Sequence, residues 1–338
     1  MNILITGGVG FIGTNTAIAF AQEPSNTIAI VDNFSRPGVD SNAKYLQKHY
    51  TNIEIHKHDV QDVKAYLPLL SKADVVIHLA GQTAVTTSIN NPTLDFESNV
   101  VGSFRLLEAL RVNNPDVILL YSSTNKVYGD LSHHRIELDK KLQQYKNIDY
   151  PNGISEDQRL EFISPYGCSK GAFDAYVEDY ARIFGMKTVV FRQSCIYGRF
   201  QMGVEDQGWV AHFSKQMLLK KPITIFGDGY QVRDLLYVDD LIDAYQRAIS
   251  EIDQVKGCAF NIGGGTSNAY SLRQVLTLLT SITQTEPQIT YDETRSGDQT
   301  YFVSANDTIL QKLNWRPQTA FTDGIIHMVD WQREYLKL

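Results

Sequence analysis

The stretch Asn2-Ile3-Leu4-Ile5-Thr6-Gly7-Gly8-Val9-Gly10-Phe11-Ile12-Gly13 constrains the fold more than any other part of the chain. An apolar run breaks on glycines at 7, 10 and 13 and passes directly into a helical pattern. Gly7 permits a tight turn, Gly10 lets backbone approach a phosphate, and Gly13 lets a helix pack closely on the strand before it. The start of such a helix offers unpaired N–H groups and a partial positive charge to an anion. Alone, a glycine trio could also be a purely structural turn, so the rest of the chain must decide.

The first 190 or so residues alternate apolar runs with amphipathic stretches. Strands are expected at Asn2–Thr6, Ile28–Val31, Ile53–Lys57, Asp74–His78, Val117–Tyr121 and Lys187–Phe191. Helices are expected at Phe11–Ala21, Val60–Leu70, Asp95–Val112 and Tyr166–Phe184. This rhythm predicts an α/β fold, a doubly wound parallel sheet of Rossmann type with ligands at the carboxyl ends of its strands. After Phe191 turn-rich pieces appear, with helices expected at Val238–Ser250, Ser271–Ile282 and Phe321–Leu336. A smaller C-terminal α/β lobe fits that pattern, with Ala259–Ile262 returning to the main sheet. The expected division is 1–191 for the dinucleotide, with returns near 237–264, and 192–236 plus 265–338 for substrate. The polar, poorly periodic segment 131–163 reads as a long loop with a little helix, a form that lids often take.

A net charge of −7 repels a phosphate backbone and argues against a nucleic-acid partner. Cys168, Cys195 and Cys258 are odd in number and far apart, which suits thiols in a reducing cytoplasm. The N-terminus has no basic segment, and no apolar run approaches the ~20 residues that span a bilayer. His56-Lys57-His58-Asp59 has metal-ligand residue types, but strand neighbours point to opposite faces, so no metal is expected. His133 and His134 fall in a polar loop and are expected to be solvated. Trp209 suits a hydrophobic anchor better than a base-stacking platform.

Asp32 closes the second expected strand, where a carboxylate can accept both ribose hydroxyls and repel a 2′-phosphate. NAD is therefore expected over NADP, with nearby Arg36 as the one residue that could welcome that phosphate. Asp59 follows the third strand; it could meet the adenine amino group or simply cap a helix. Tyr166 and Lys170 lie four residues apart and share a helix face. A free tyrosine has a pKa of about 10, and a neighbouring ammonium is expected to bring it toward neutrality. Thr124 ends the fifth strand and should stand beside the Tyr166 phenol. The two could grip one alcohol hydroxyl while hydride leaves its carbon.

With these residues the chain resembles the extended short-chain dehydrogenase/reductase family. The glycines, HLAGQ at 78–82, SST at 122–124, Y-x-x-x-K at 166–170, VRDLLYVDDL at 232–241, FNIGGG at 260–265 and RSGDQ at 295–299 occur in family order over nearly the whole chain. The resemblance implies catalysis by Thr124, Tyr166 and Lys170 on a nucleotide-diphosphate sugar. It implies an NAD site of Gly7, Gly10, Phe11, Ile12, Gly13, Asp32, Asn33, Ser35, Arg36, Asp59, Val60, Leu79, Ala80, Gln82, Asn99, Ser122, Tyr166 and Lys170. It also implies substrate contacts from Thr86, Ser88, Thr124, Asn125, Arg233 and Arg295, the two arginines on the diphosphate.

Dehydratases of this family carry an acid and a base after the threonine. Here Thr124 is followed by Asn125 and Lys126, which cannot supply that pair. Epimerisation through a transient ketone needs only the tyrosine, lysine and threonine with a retained NAD. HLAGQTAVTTSI, YSSTNKVYGDL, SPYGCSKGA and YARIFG are similar to the branch acting at C2 of CDP-linked hexoses. That similarity implies a CDP-hexose partner and a 2-ketose intermediate; the alternatives are a 4-epimerase or net dehydrogenase/reductase on another nucleotide hexose, or a non-catalytic NAD-binding regulator. A homodimer or homotetramer is implied through the Asp95–Val112 and Tyr166–Phe184 helices, with Leu106, Leu107, Leu110, Tyr176 and Tyr180 offering apolar surface, although a core-facing role would explain some of them equally well.

Overall fold

A computed structural model describes residues 1–295 and 297–338. The chain lays down β1 (Asn2–Thr6), β2 (Thr27–Asp32), β3 (Ile53–Lys57), β4 (Val75–His78) and β5 (Ile118–Thr124). A hairpin of β6 (Ile136–Asp139) and β7 (Gln144–Asn147) precedes β8 (Lys187–Gln193), β9 (Cys195–Tyr197), β10 (Ile223–Phe226) and β11 (Val232–Tyr237). Then come β12 (Ala259–Ile262), β13 (Ala269–Ser271), β14 (Ile289–Asp292) and β15 (Tyr301–Phe302).

The main sheet has the order β12-β8-β5-β4-β1-β2-β3. Its pairs β1–β2, β1–β4, β2–β3 and β4–β5 are parallel, as a doubly wound fold requires. The order reverses between β1 and β4, and a crevice for a ligand opens at such a switch point. The strands are apolar on both faces because helices cover both; Ile3, Leu4, Ile5, Val75, Val76 and Ile77 are all buried.

The chain divides into two compact units. The first holds 1–127, 164–192 and 242–260. One of its cores gathers Leu4, Val31, Tyr66, Leu106, Leu107, Leu110, Leu119, Tyr121 and Phe173. The second holds 128–163, 193–241 and 261–338, with a core of Tyr197, Phe213, Ile225, Leu235, Leu279, Phe321 and Met328. There β11 pairs with β9, β13 and β15, while β10 pairs with β14.

Three expectations need correcting. Segment 131–163 contains no helix; it forms the antiparallel β6–β7 hairpin, registered Ile136 to Asn147. His134 is not solvated: it is buried, its Nδ1 pairs with the Asn147 amide at 3.0 Å, and its ring lies 4.5 Å from that of Tyr150. Leu106, Leu107 and Leu110 face the core, and Tyr180 is buried too, its hydroxyl donating to Glu108. Of the five residues expected to offer outer surface, Tyr176 alone is exposed.

The helix expected at Asp95–Val112 consists of an α-helix at Pro92–Phe96, a π-helical turn at Glu97–Gly102 and an α-helix at Ser103–Asn113. Among the described residues no helix is long and apolar enough to cross a membrane, and no group of three or more His, Cys, Asp or Glu is placed to hold a metal. None of the three cysteines forms a disulfide.

Candidate active site

The glycine loop sits between β1 and the helix Phe11–Ala21. Gly7 has φ +70°, and a Cβ there would stand 2.8 Å from the Ala80 nitrogen. A Cβ on Gly13 would meet the Gly7 carbonyl at 2.4 Å, so the helix can approach the strand end only without a side chain at that position. Gly10 precedes the helix and caps it with no side chain, leaving the first-turn N–H groups to an outside anion. Phe11 and Ile12 open that turn and are half-buried. A bare, uncapped cradle of this shape fits a dinucleotide pyrophosphate.

Asp32 ends β2, where its carboxylate accepts from Val9 N at 3.2 Å and Phe34 N at 2.9 Å. Burial pushes its carboxyl up, and these two N–H groups pull it back. Asp59 accepts from the Asn33 amide at 2.8 Å and from Gln61 N at 2.9 Å. The helix that follows spans Val63–Leu70 behind Asp62, so Asp59 ties a turn and does not cap that helix. Ser35 N donates to Asn33 Oδ1 at 3.0 Å, and Val60 is buried in the core. The Arg36 guanidinium donates to the Thr83 hydroxyl at 2.8 Å and acts electrostatically on Tyr166.

The end of β4 is held from several sides. His78 is buried between the hydroxyls of Thr6 and Ser103, at 2.7 and 2.8 Å. Burial, then the charge of Lys170, pushes its pKa down to about 3, so it stays neutral. Leu79 N and Ala80 N both bond Thr6, which lays them against the glycine loop. Asn99, in the π-helical turn, accepts from Gln82 N and donates to the Gln82 carbonyl and the Ser169 hydroxyl. Such turns recur where a helix must re-aim a functional side chain. Ser88 is buried and accepts from Tyr166 N at 3.1 Å. Two buried oxygens nearby, Thr86 Oγ1 and Gln82 Oε1, have no hydrogen-bond partner.

The structure brings Thr124, Tyr166 and Lys170 together inside the first unit. The Thr124 hydroxyl hydrogen-bonds with the Tyr166 phenol and reaches Asn125 Oδ1 at 3.4 Å. Lys170 Nζ donates to the Ser122 carbonyl at 2.5 Å and lies 4.4 Å from the centre of the Tyr121 ring. The expected electrostatics are corrected here. Burial pushes Tyr166 up to about 12; the Thr124 hydrogen bond and the Arg36 charge, not Lys170, pull it back. Burial pushes Lys170 down to about 7, against the charges of Asp174 and Asp95.

Sequence reasoning missed a buried ionic cluster beneath these residues. Asp174 accepts from Ser123 at 2.7 Å and from two nitrogens of Arg192 at 3.0 and 2.9 Å, and Arg192 also reaches Glu178. Positions 166, 170, 174 and 178 share one helix face, a spacing that could have pointed to the cluster. In the second unit Arg233 is buried and paired with Asp298 at 2.7 Å. Arg295 stacks 3.7 Å over the Phe226 ring and pairs with Glu205 and Asp206 at 3.4 and 3.3 Å. Trp209 packs against the core there, edge-on to Phe213.

A family model described as "NAD dependent epimerase/dehydratase family" matches residues 3–263. CDP-paratose 2-epimerase of Salmonella typhi is 42% identical over 338 aligned residues, 98% of this chain and 99% of that protein. UDP-glucose 4-epimerase of Thermotoga maritima, solved with UDP-glucose, superposes with a TM-score of 0.83 at 30% identity, covering 99% of this chain and 100% of that one. UDP-glucuronic acid 4-epimerase of Bacillus cereus, solved with UDP-glucuronic acid and NAD, gives 0.86 at 26% identity with the same coverage.

Proposed function

The chain belongs to the NAD dependent epimerase/dehydratase family, and from that premise we propose that it inverts C2 of a CDP-linked dideoxyhexose, interconverting CDP-paratose and CDP-tyvelose. The observation that carries this reading is the 42% identity to CDP-paratose 2-epimerase along both full chains. The site agrees with it. Thr124 meets Tyr166, while Asn125 and Lys126 stand where elimination of water would need an acid and a base.

The glycine loop would hold the pyrophosphate of NAD, Asp32 its adenosine ribose, and Lys170 the ribose nearer the chemistry. When bound, NAD would supply a reversible two-electron hydride acceptor at C2, with no net redox change over the cycle, and a positive charge beside the phenol. Tyr166 removes the C2 hydroxyl proton and later restores it, and Thr124 aligns that hydroxyl. With a pKa near 12, Tyr166 keeps its proton at neutral pH in this structure. Added positive charge beside the phenol is therefore what makes it a base.

Arg233 and Arg295 of the second unit would bind the diphosphate, exchanging carboxylate partners for phosphate oxygens. The first unit would thus serve NAD and the second the sugar nucleotide. We place the reaction in the cytoplasm, where free thiols persist. A homo-oligomer would cover the exposed Phe96, Tyr176, Ile183 and Phe184 of the outer helices, and sedimentation as a monomer at micromolar concentration would overturn that. The deciding experiment offers CDP-, UDP-, GDP- and dTDP-hexoses in deuterated water and reads the inverted carbon by NMR. Inversion at C2 without deuterium there is expected. Deuterium at the inverted carbon, or inversion at C4, would sink the reading.

A further inference from the structure

The β6–β7 hairpin has no part in the site described above, yet it grips one short turn of the second unit. That turn, residues 227–231, carries the chain from Phe226, over whose ring Arg295 stacks, to Arg233. Gly227 and Gly229 have φ of +84° and +79° there, a backbone form that other residues rarely adopt. A run with two glycines is loose unless something ties it. Gln231 ties it from within, its amide donating to the Phe226 carbonyl at 2.6 Å, and Asp228 Oδ1 accepts from Tyr230 N at 2.9 Å. Other ties come from outside. The Tyr145 hydroxyl, on β7, donates to Asp228 Oδ2 at 2.6 Å, and Tyr145 N donates to the Tyr230 carbonyl at 3.0 Å. Arg273, in the first turn of the helix Leu272–Thr283, donates from Nε to the Asp228 carbonyl at 2.9 Å and from N to the Gly229 carbonyl at 3.1 Å. The tip of the hairpin is held to that helix start. Ser271 Oγ donates to the Gln143 carbonyl at 2.6 Å, and the Gln274 amide donates to the Leu142 carbonyl at 2.9 Å.

We propose that the hairpin is a brace that fixes the spacing of Arg233 and Arg295, with Tyr145 as its positioning residue. This rests on the reading of the two arginines as the diphosphate ligands. A diphosphate presents two phosphoryl groups at one separation, so two guanidiniums hold it together only if their own separation is held. The turn 227–231 sets that separation, because one arginine rests on the ring before it and the other follows it. The grip extends to the neighbouring strands. Ile136 and Tyr145 pack against the buried Val232, Tyr301 and Val303, next to Arg233. Past the hairpin, Ile154 N donates to the Val303 carbonyl at 2.7 Å, and the Ile154 carbonyl accepts from Ala305 N at 2.9 Å. Val303 follows β15, which pairs with β11 in the register Arg233 to Phe302. The hydrogen bond to Asp228 is the main cause of the Tyr145 pKa rising to about 12, so its hydroxyl remains a donor at neutral pH.

The test is calorimetric titration of the full chain, loaded with NAD, with CDP. Wild type is compared with Tyr145→Phe, Arg233→Gln, the double variant and Tyr150→Phe. Tyr145→Phe should weaken CDP about fivefold, part of what a hydrogen bond to a charged group is worth. Tyr150 lies on the same segment with its ring on His134, so Tyr150→Phe should bind as wild type does. In the Arg233→Gln background the loss from Tyr145→Phe should shrink below about twofold, because residues that act through one another are not additive. A loss that adds in full would mark a general structural effect and overturn the proposal. So would wild-type affinity in Tyr145→Phe while Arg233→Gln binds CDP poorly. CDP binding indifferent to Arg233→Gln would instead sink the diphosphate reading on which the proposal rests. A second readout needs no ligand. Amide hydrogen exchange at Tyr230 and Arg273 should quicken in Tyr145→Phe while Leu4 in β1 stays protected. Unchanged exchange at both would overturn the brace even if the sugar nucleotide is misidentified.

Discussion

The two units hold their functional side chains by different means. In the first, Tyr166, Lys170 and Asn99 are fixed largely by backbone carbonyls, amides and neutral hydroxyls in a buried setting. In the second, Arg233 and Arg295 are fixed largely by carboxylates: Asp298, Glu205 and Asp206. Neutral anchors leave a catalytic group in one geometry whatever ligand arrives. Ionic anchors can be exchanged for another anion, which suits a surface that must take up and release a diphosphate. On the proposed assignment, chemistry would be preorganised in one unit and binding exchangeable in the other.

The largest test of that contrast is Tyr166→Phe, which deletes the proposed acid–base hydroxyl and little volume. Turnover should fall by about 10²–10⁴-fold while NAD stays bound, as read by steady-state rates and by cofactor retained through gel filtration. Arg233→Gln should act through affinity. Charged hydrogen bonds are typically worth about 1.5–3 kcal/mol, so KM for the sugar nucleotide should rise about 10–100-fold with kcat changed little. A large loss of kcat instead would erase the distinction between the units.

Glu205→Gln sharpens it further. If Arg295 binds the diphosphate as proposed, the exposed Glu205 would compete with phosphate for it, so removing its charge should lower KM by about twofold, within the small range of exposed ion pairs. The smallest effect belongs to Glu178. Burial is the main cause of its pKa rising to about 7, so the folded chain holds a proton that the unfolded chain releases near 4.5. Stability attributable to this group is therefore present below pH 4.5 and declines as pH rises to about 7. Its side chain is 39% exposed, and screening keeps the loss under about 1 kcal/mol. Glu178→Gln should flatten that decline in thermal melts taken across the interval.

Much of the first unit was legible because its signals are local. Strand and helix β1 and Phe11–Ala21 follow from an apolar run and three glycines, and the approach of Thr124 to Tyr166 follows from strand end and helix spacing. The helix Val39–His49 was overlooked although Val39, Asn42, Ala43 and Leu46 recur at helical spacing and are buried. Its inner stripe includes a polar Asn42, bound to the Val9 carbonyl, which weakens the apolar signal. The β6–β7 hairpin has four-residue strands, IELD and QYKN, too polar and short to show alternation. For Leu106, Leu107 and Leu110 the sequence left outer surface and core open, because an apolar helix stripe does not reveal whether its own core or a second copy covers it; the structure gives them to the core.

The alignment of Tyr166, Lys170, Asp174 and Glu178 along one helix also governs how this gene segment can vary. An α-helix turns about 100° per residue, so inserting or deleting one residue between 166 and 178 would swing every later side chain off that face. The Tyr166 phenol and the buried ion pair below it would then point to different sides of the helix. Single substitutions at outward positions such as Tyr176 and Ile183 leave that alignment intact. Among related genes this helix should therefore diverge in spelling while its length stays fixed, and insertions should accumulate in the connections instead.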